Sequence, residues 1–170
     1  MAQTILSLGD SYTIGESVSE AERWPNQLAQ ALQDSGFQVE PPKIIARTGW
    51  TTTELLAGIQ NSQLDSVYDL VTLLIGVNDQ YRGLGINYYR DGFEKLLSKA
   101  IQFAGNDTNR VIVLSIPDYS VTPFAQFRDT SAIRQELDQF NGLNRNLSEQ
   151  AGVHYVNITP ISRKALTDRT

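Results

Sequence analysis

Three short polar turns carry the residue types that an acyl-transfer reaction needs. Ser11 lies in the Gly-Asp-Ser-Tyr stretch at 9–12, Gly49 follows at the second turn, and Asn78 lies in the Gly-Val-Asn-Asp stretch at 76–79. A serine hydroxyl can attack an acyl carbon, and backbone N–H groups or an asparagine amide can stabilise the oxyanion that forms. The residue types therefore suggest Ser11 as nucleophile, with donors from the N–H groups of Ser11 and Gly49 and from the Asn78 amide.

Each of the three turns also has a purely structural interpretation. Asp10 or Ser11 can cap the start of a helix, since both residue types favour that position, and we expect Asp10 to brace the turn rather than to react. Gly49 can be an ordinary turn glycine, and the Asn78 side chain can bond the local backbone.

Apolar, β-branched runs precede each turn and predict the strands that deliver them. The predicted strands cover Thr4–Leu8, Lys43–Arg47, Tyr68–Ile75, Arg110–Leu114 and Val153–Val156. The third is nearly continuous in its hydrophobicity, which is typical of a central strand covered on both faces.

Helical periodicity fills the intervals between the strands. Apolar residues spaced four apart from Trp24 predict a helix that ends near Ser35, and a capping-box pair, Thr51 and Glu54, opens a second helix. Two longer patterns run from 88 to 104 and from 133 to 147. The same periodicity places Trp24, Phe93 and Phe140 in the core, whereas Tyr119 and Phe124 can wall a pocket or anchor a loop.

The resulting order βαβαβαβαβ predicts a single α/β domain over residues 1–170, a doubly wound parallel sheet with helices on both faces. Parallel strands all end at the same edge of a sheet. We therefore expect the turns at Ser11, Gly49 and Asn78 to lie close together.

The three turns, in this order and each at a strand end, resemble the first three sequence blocks of the SGNH (GDSL) hydrolases. A Trp-Pro pair at 24–25 extends the similarity, which covers most of the chain. The resemblance implies a three-layer, flavodoxin-like sheet of five strands and hydrolysis of esters or thioesters through an acyl-enzyme, without metal or organic cofactor. It also implies Ser11 as nucleophile and donor, Gly49 as second donor and Asn78 as side-chain donor.

One block of the family is missing from the sequence. The family carries its general base in an Asp-x-x-His block, whereas the last residues here are Asp168-Arg169-Thr170 and the only histidine is His154. His154 falls within a predicted strand upstream of the expected place, so we do not expect it to be the base. The simplest hypothesis is a truncated C-terminus, and a natural protein that lost its base is the alternative. A missing terminal helix would expose apolar surface, which predicts self-association into a homo-oligomer or poor stability, and we expect this chain to be nearly inactive.

Composition excludes several other classes of function. The absence of cysteine excludes disulfides, thiolate metal ligands and a thiol nucleophile. The net charge of −5 with scattered basic residues argues against nucleic acid. We find no signal-like segment and no membrane-spanning apolar run, and therefore expect a cytoplasmic protein.

Two other functions remain open from the residues alone. A non-catalytic module that binds acyl or sugar ligands is the main alternative, and a flavodoxin-like mononucleotide binder is a weaker one. Neither a Gly-x-Ser-x-Gly elbow nor a P-loop is present. Apolar residues Val121, Phe124 and Phe127 favour an acyl chain as ligand.

Overall fold

The computed structural model describes residues 2–167 and contains one parallel five-stranded sheet in the order β2-β1-β3-β4-β5. Strands and helices alternate along the chain. In chain order they are β1 (Ile5–Gly9), α1 (Ser11–Ile14), α2 (Trp24–Asp34), β2 (Lys43–Ala46), α3 (Thr52–Gln60), β3 (Leu70–Leu74), α4 (Val77–Tyr81), α5 (Ile86–Phe103), β4 (Val111–Leu114), α6 (Thr130–Ala151), β5 (His154–Val156) and α7 (Thr159–Arg163).

The three-layer arrangement and the flavodoxin-like strand order confirm the predicted fold class. Helices α3, α5 and α6 cover one face of the sheet, where their apolar side chains form the main core with residues of β1, β3 and β4. Helix α2 lies on the opposite face and packs against Ile5 and Leu70.

The five predicted strands and the four predicted helices are all present, but α7 was not predicted and the structure differs at two turns. The stretches at 9–12 and 76–79 were expected to be turns, but each leads into a short helix, α1 from Ser11 and α4 from Val77. The capping box of α3 is confirmed, because Thr51 and Glu54 bond each other's backbone N–H groups. Phe93 and Phe140 are buried as expected, whereas Trp24 is not a core residue. It is only half-buried, because it begins α2 at the carboxyl edge of the sheet.

The outer half of the α2 face is incompletely covered within residues 2–167. Ile112 and Leu114 of β4 are half-buried there, and Val156 of β5 is exposed. Strands of a parallel sheet are normally buried on both faces. The Asp-x-x-His block and the terminal helix expected from the family would follow residue 167, outside the described residues. Self-association of the protein through the incompletely covered face stays a prediction.

No helix among the described residues combines the length and apolarity that crossing a membrane requires. Similarly, no three His, Asp or Glu side chains in residues 2–167 gather closely enough to hold a metal ion.

Substitution of two glycines inside long helices allows the effect of side-chain packing on stability to be distinguished from that of helix propensity. Gly92 of α5 faces α3, where a Cβ atom would lie 2.5 Å from the Cβ of Thr52, whereas a Cβ at Gly142 of α6 would meet nothing within 4 Å. We expect Gly92→Ala to lower the free energy of unfolding by about 1–3 kcal/mol through overpacking. Gly142→Ala should raise it by about 0.5–1 kcal/mol, because alanine favours a helix. Urea denaturation of both variants measures the difference, and equal effects would contradict this α3–α5 packing.

Candidate active site

Ser11 is the first residue of α1, directly beyond the carboxyl end of β1. Asp10 caps this helix, since its Oδ1 accepts the Tyr12 N–H at 3.0 Å. The Ser11 N–H and Oγ have no hydrogen-bond partner within residues 2–167. Both groups are therefore available to a ligand.

Gly49 lies in the turn after β2. The Trp50 N–H donates to the Arg47 carbonyl at 3.2 Å, and Gly49 has φ +85°, which suits the third position of a type II turn and favours glycine. Arg82 donates to the Gly49 carbonyl at 2.5 Å, whereas the Gly49 N–H has no acceptor among the described residues.

Asn78 lies in the first turn of α4, beyond the end of β3. Its Nδ2 donates to the Trp50 carbonyl at 2.9 Å, so its amide is fixed one residue from Gly49. Ser11 and Asn78 line the same cavity of about 820 Å³, whose wall also includes Thr48, the neighbour of Gly49. Ser11 and Asn78, from different crossovers, thus line one cavity at the same edge of the sheet, and Gly49 lies between the wall residue Thr48 and Trp50, the partner of Asn78.

The rest of the cavity wall presents mainly apolar surface, although Glu16, Glu22 and Arg23 also line it. It comes from the loop before α2, from α4 and from the loop after β4, and includes Val18, Trp24, Val77, Tyr81, Tyr119 and Phe124. Phe124 is therefore a wall residue, whereas Tyr119 both lines the wall and anchors the loop, because its buried hydroxyl donates to Gln80 Oε1 at 3.0 Å. Sequence periodicity placed Trp24 in the core, so its part in the wall could not be anticipated.

Asp79 is a buried residue whose role sequence reasoning missed. Its Oδ2 accepts the Thr52 N–H at 3.0 Å and its Oδ1 accepts the Thr52 hydroxyl at 2.6 Å. Burial raises the pKa of Asp79, although the two Thr52 bonds oppose this shift. The only signal in the sequence was an acidic residue next to Asn78 at a strand end.

His154 lies too far from Ser11 to act on it. It begins β5, three strands away from β1, which at the usual strand spacing is roughly 14 Å. His154 pairs with Ile112 in the neighbouring strand, and this row of the sheet continues to Ser7 in the middle of β1 rather than to the carboxyl ends of the strands. The His154 side chain is exposed. The expectation that His154 is not the base agrees with this position.

The sequence profile of the GDSL-like lipase/acylhydrolase family matches residues 7–170. The chain belongs to this family. No curated protein sequence matches it.

Solved structures of SGNH hydrolases share the fold. The SGNH-hydrolase family esterase AlinE4 is 23% identical with a TM-score of 0.72, and the alignment covers 99% of this chain and 81% of that one. TesA is 19% identical with a TM-score of 0.70, covering 90% and 77%. A lipolytic G-D-S-L protein from Veillonella parvula is 17% identical with a TM-score of 0.72, covering 99% and 85%. Family and fold together support a hydrolase.

The Asp10 carboxyl beside Ser11 should make stability depend on pH. Burial, with a smaller contribution from nearby Asp79, raises the pKa of Asp10 from 3.8 to about 7, while the Tyr12 N–H opposes the shift. Because the folded pKa lies above the unfolded one, the folded protein loses stability as pH rises from about 4 to about 7, and the loss then levels off.

We therefore expect Asp10→Asn to remove this dependence. Between pH 5 and pH 8 the unfolding free energy of wild type should fall relative to that of Asp10→Asn by about 2 kcal/mol. Urea denaturation at both pH values measures the difference. A difference that does not change with pH would show that Asp10 titrates normally.

Proposed function

We propose that this GDSL-family protein is a carboxylic-ester hydrolase that acts through an acyl-enzyme on Ser11. The observation that carries the proposal is the shared cavity: the free Ser11 hydroxyl and the Asn78 amide face the same space, and the hydrogen bond to Trp50 holds Asn78 beside Gly49. Acyl transfer requires a nucleophile with hydrogen-bond donors beside it, and this shared position supports the proposal.

The proposed reaction has two steps. Ser11 Oγ attacks the ester carbonyl carbon, and the negative charge that develops on the carbonyl oxygen is stabilised by the N–H groups of Ser11 and Gly49 and by Asn78 Nδ2. The C–O bond to the alcohol then breaks, the alcohol leaves with the serine proton, and water cleaves the acyl-enzyme to release the acid. A thioester would react in the same way with a thiol as leaving group.

The base that carries the proton in these steps is proposed to lie outside these 170 residues. The sequence holds one imidazole, and His154 is three strands away from Ser11. Without a base, donors and binding alone leave about 10³–10⁴-fold catalysis over water. The 170-residue chain should therefore turn over slowly.

The cavity wall supports an acyl compound as substrate. Most of the surface it presents is apolar, with valine and aromatic side chains among its lining, and its volume of about 820 Å³ is in the range of small-molecule sites. Asp10 serves in this proposal to hold the turn rather than to react, and no metal or organic cofactor takes part.

A non-catalytic acyl-binding module is the second candidate. The distance of the only imidazole from Ser11 is the observation that favours it. A binding module would use the same cavity, but its Ser11 would not become acylated.

Chemical rescue separates the two candidates. We expect a fluorophosphonate to add one equivalent to Ser11, detected by intact mass, and added imidazole to accelerate p-nitrophenyl butyrate hydrolysis beyond its own background rate. Ser11→Ala should lose both, because the nucleophile is absent, whereas Ser98→Ala, an exposed serine on α5, should retain both. Equal rates in wild type and Ser11→Ala would exclude the proposed hydrolase.

The Asn78 amide is tested in the same assay. We expect Asn78→Ala to reduce the imidazole-dependent rate by about 10²–10³-fold, as measured for side-chain donors in other oxyanion sites. Asn61→Ala is the matched control, because Asn61 follows α3 at the opposite edge of the sheet. Thermal unfolding of both variants is measured in parallel. A rate loss in Asn78→Ala that only follows a lower melting temperature would argue for a structural role.

A further inference from the structure

Exposed apolar side chains surround the mouth of the cavity. Val18, Tyr81 and Phe124 line the cavity and are also substantially exposed, Phe124 at 65%. Phe127, three residues further along the loop after β4, is 93% exposed. We call these four residues the mouth patch. Tyr81 and Phe124 are neighbouring rings that share the cavity wall with Val18, and large apolar side chains exposed together commonly mark an interaction surface.

Arg128 fixes the aromatic part of the mouth patch. Its guanidinium lies 4.5 Å from the centre of the Tyr81 ring and 5.4 Å from that of Phe124, and it donates to the Tyr81 hydroxyl at 2.7 Å. The Tyr81 and Phe124 rings are 5.8 Å apart. The mouth patch thus combines apolar rings with the polar groups of an arginine and a tyrosine. Such side chains suit the boundary between lipid tails and headgroups, because their apolar part can contact the tails while their polar end remains in water.

We propose that the mouth patch docks on a zwitterionic lipid surface of the phosphatidylcholine type, so that an ester passes from the lipid directly into the cavity. The passage of an ester to Ser11 rests on the proposed hydrolase function, whereas binding of the protein to the lipid surface does not require ester cleavage.

Two observations favour this partner over others. A protein seated on the mouth patch would close the cavity that Ser11 lines, whereas a fluid lipid layer supplies the substrate through the same opening. Charges of both signs lie around the mouth, since Glu16, Glu22 and Arg23 line the cavity and Arg128 lies on the Tyr81 ring. A headgroup that carries both charges suits this surface, and the net charge of −5 disfavours an anionic one.

Flotation with unilamellar vesicles of ether-linked phosphatidylcholine, which the enzyme cannot hydrolyse, tests the docking. We expect wild type to bind and Phe127→Ser to bind at least about tenfold more weakly, because a phenyl ring no longer enters the lipid. Phe37→Ser is the matched control. Phe37 is 57% exposed but follows α2, near the amino ends of the strands, and its loss should not change binding.

The other outcomes each count against the proposal. Equal binding of wild type and Phe127→Ser, or no binding by wild type, would overturn it. Stronger binding to vesicles that contain phosphatidylserine would overturn the proposed preference for a zwitterionic headgroup. Analytical ultracentrifugation tests whether wild type self-associates in the absence of lipid. If it does, and if Phe127→Ser abolishes the self-association, the mouth patch is instead a contact between protein chains. Ser11→Ala should bind vesicles like wild type, so a failure of the hydrolase proposal is distinguishable from a failure of docking.

Discussion

The buried contact between Asp79 and Thr52 determines how the candidate site is assembled. It joins the beginning of α4 to the beginning of α3, two elements that follow different strands. The neighbouring Asn78 bonds the Trp50 carbonyl, so two consecutive residues hold the stretch from 50 to 52. A buried carboxylate is costly unless hydrogen bonds compensate for the lost hydration, and Thr52 supplies two donors. Parallel topology brings the turns to one edge of the sheet, but this cross-link sets their spacing.

The floor of the site holds two buried carboxyl groups whose ionisation is disfavoured. Burial raises the pKa of both Asp10 and Asp79, nearby Asp79 adds to the shift at Asp10, and one oxygen of Asp10 has no partner among the described residues. Beneath them, the Tyr89 hydroxyl donates to the Ile75 carbonyl and accepts from Asn144, which links the sheet to α6. Proteins tolerate such local costs mainly at functional sites, where they are offset by packing elsewhere.

The sequence predicted the parallel sheet and the convergence of three turns because strand periodicity and chirality leave few alternatives. It predicted the capping box of α3 from two residues, since that pattern is local. Trp24 was misplaced because helical periodicity identifies the face of α2 but not its first turn, which projects beyond the sheet and into the cavity wall. The partnership of Asp79 with Thr52 spans 27 residues and could not be derived from local pattern.

The loop that forms the far wall of the cavity depends on another buried carboxylate, Asp118. Burial by itself would raise the pKa of Asp118, but hydrogen bonds from Ser120 and Arg163 together lower it, so the group is held in its charged form. Arg163 of α7 approaches Asp118 at 2.7 Å and Arg134 of α6 at 3.3 Å. Because Tyr119 is the next residue, the cavity wall is fixed to both α6 and α7. The position of this wall therefore depends on two helices that contribute no residue to it.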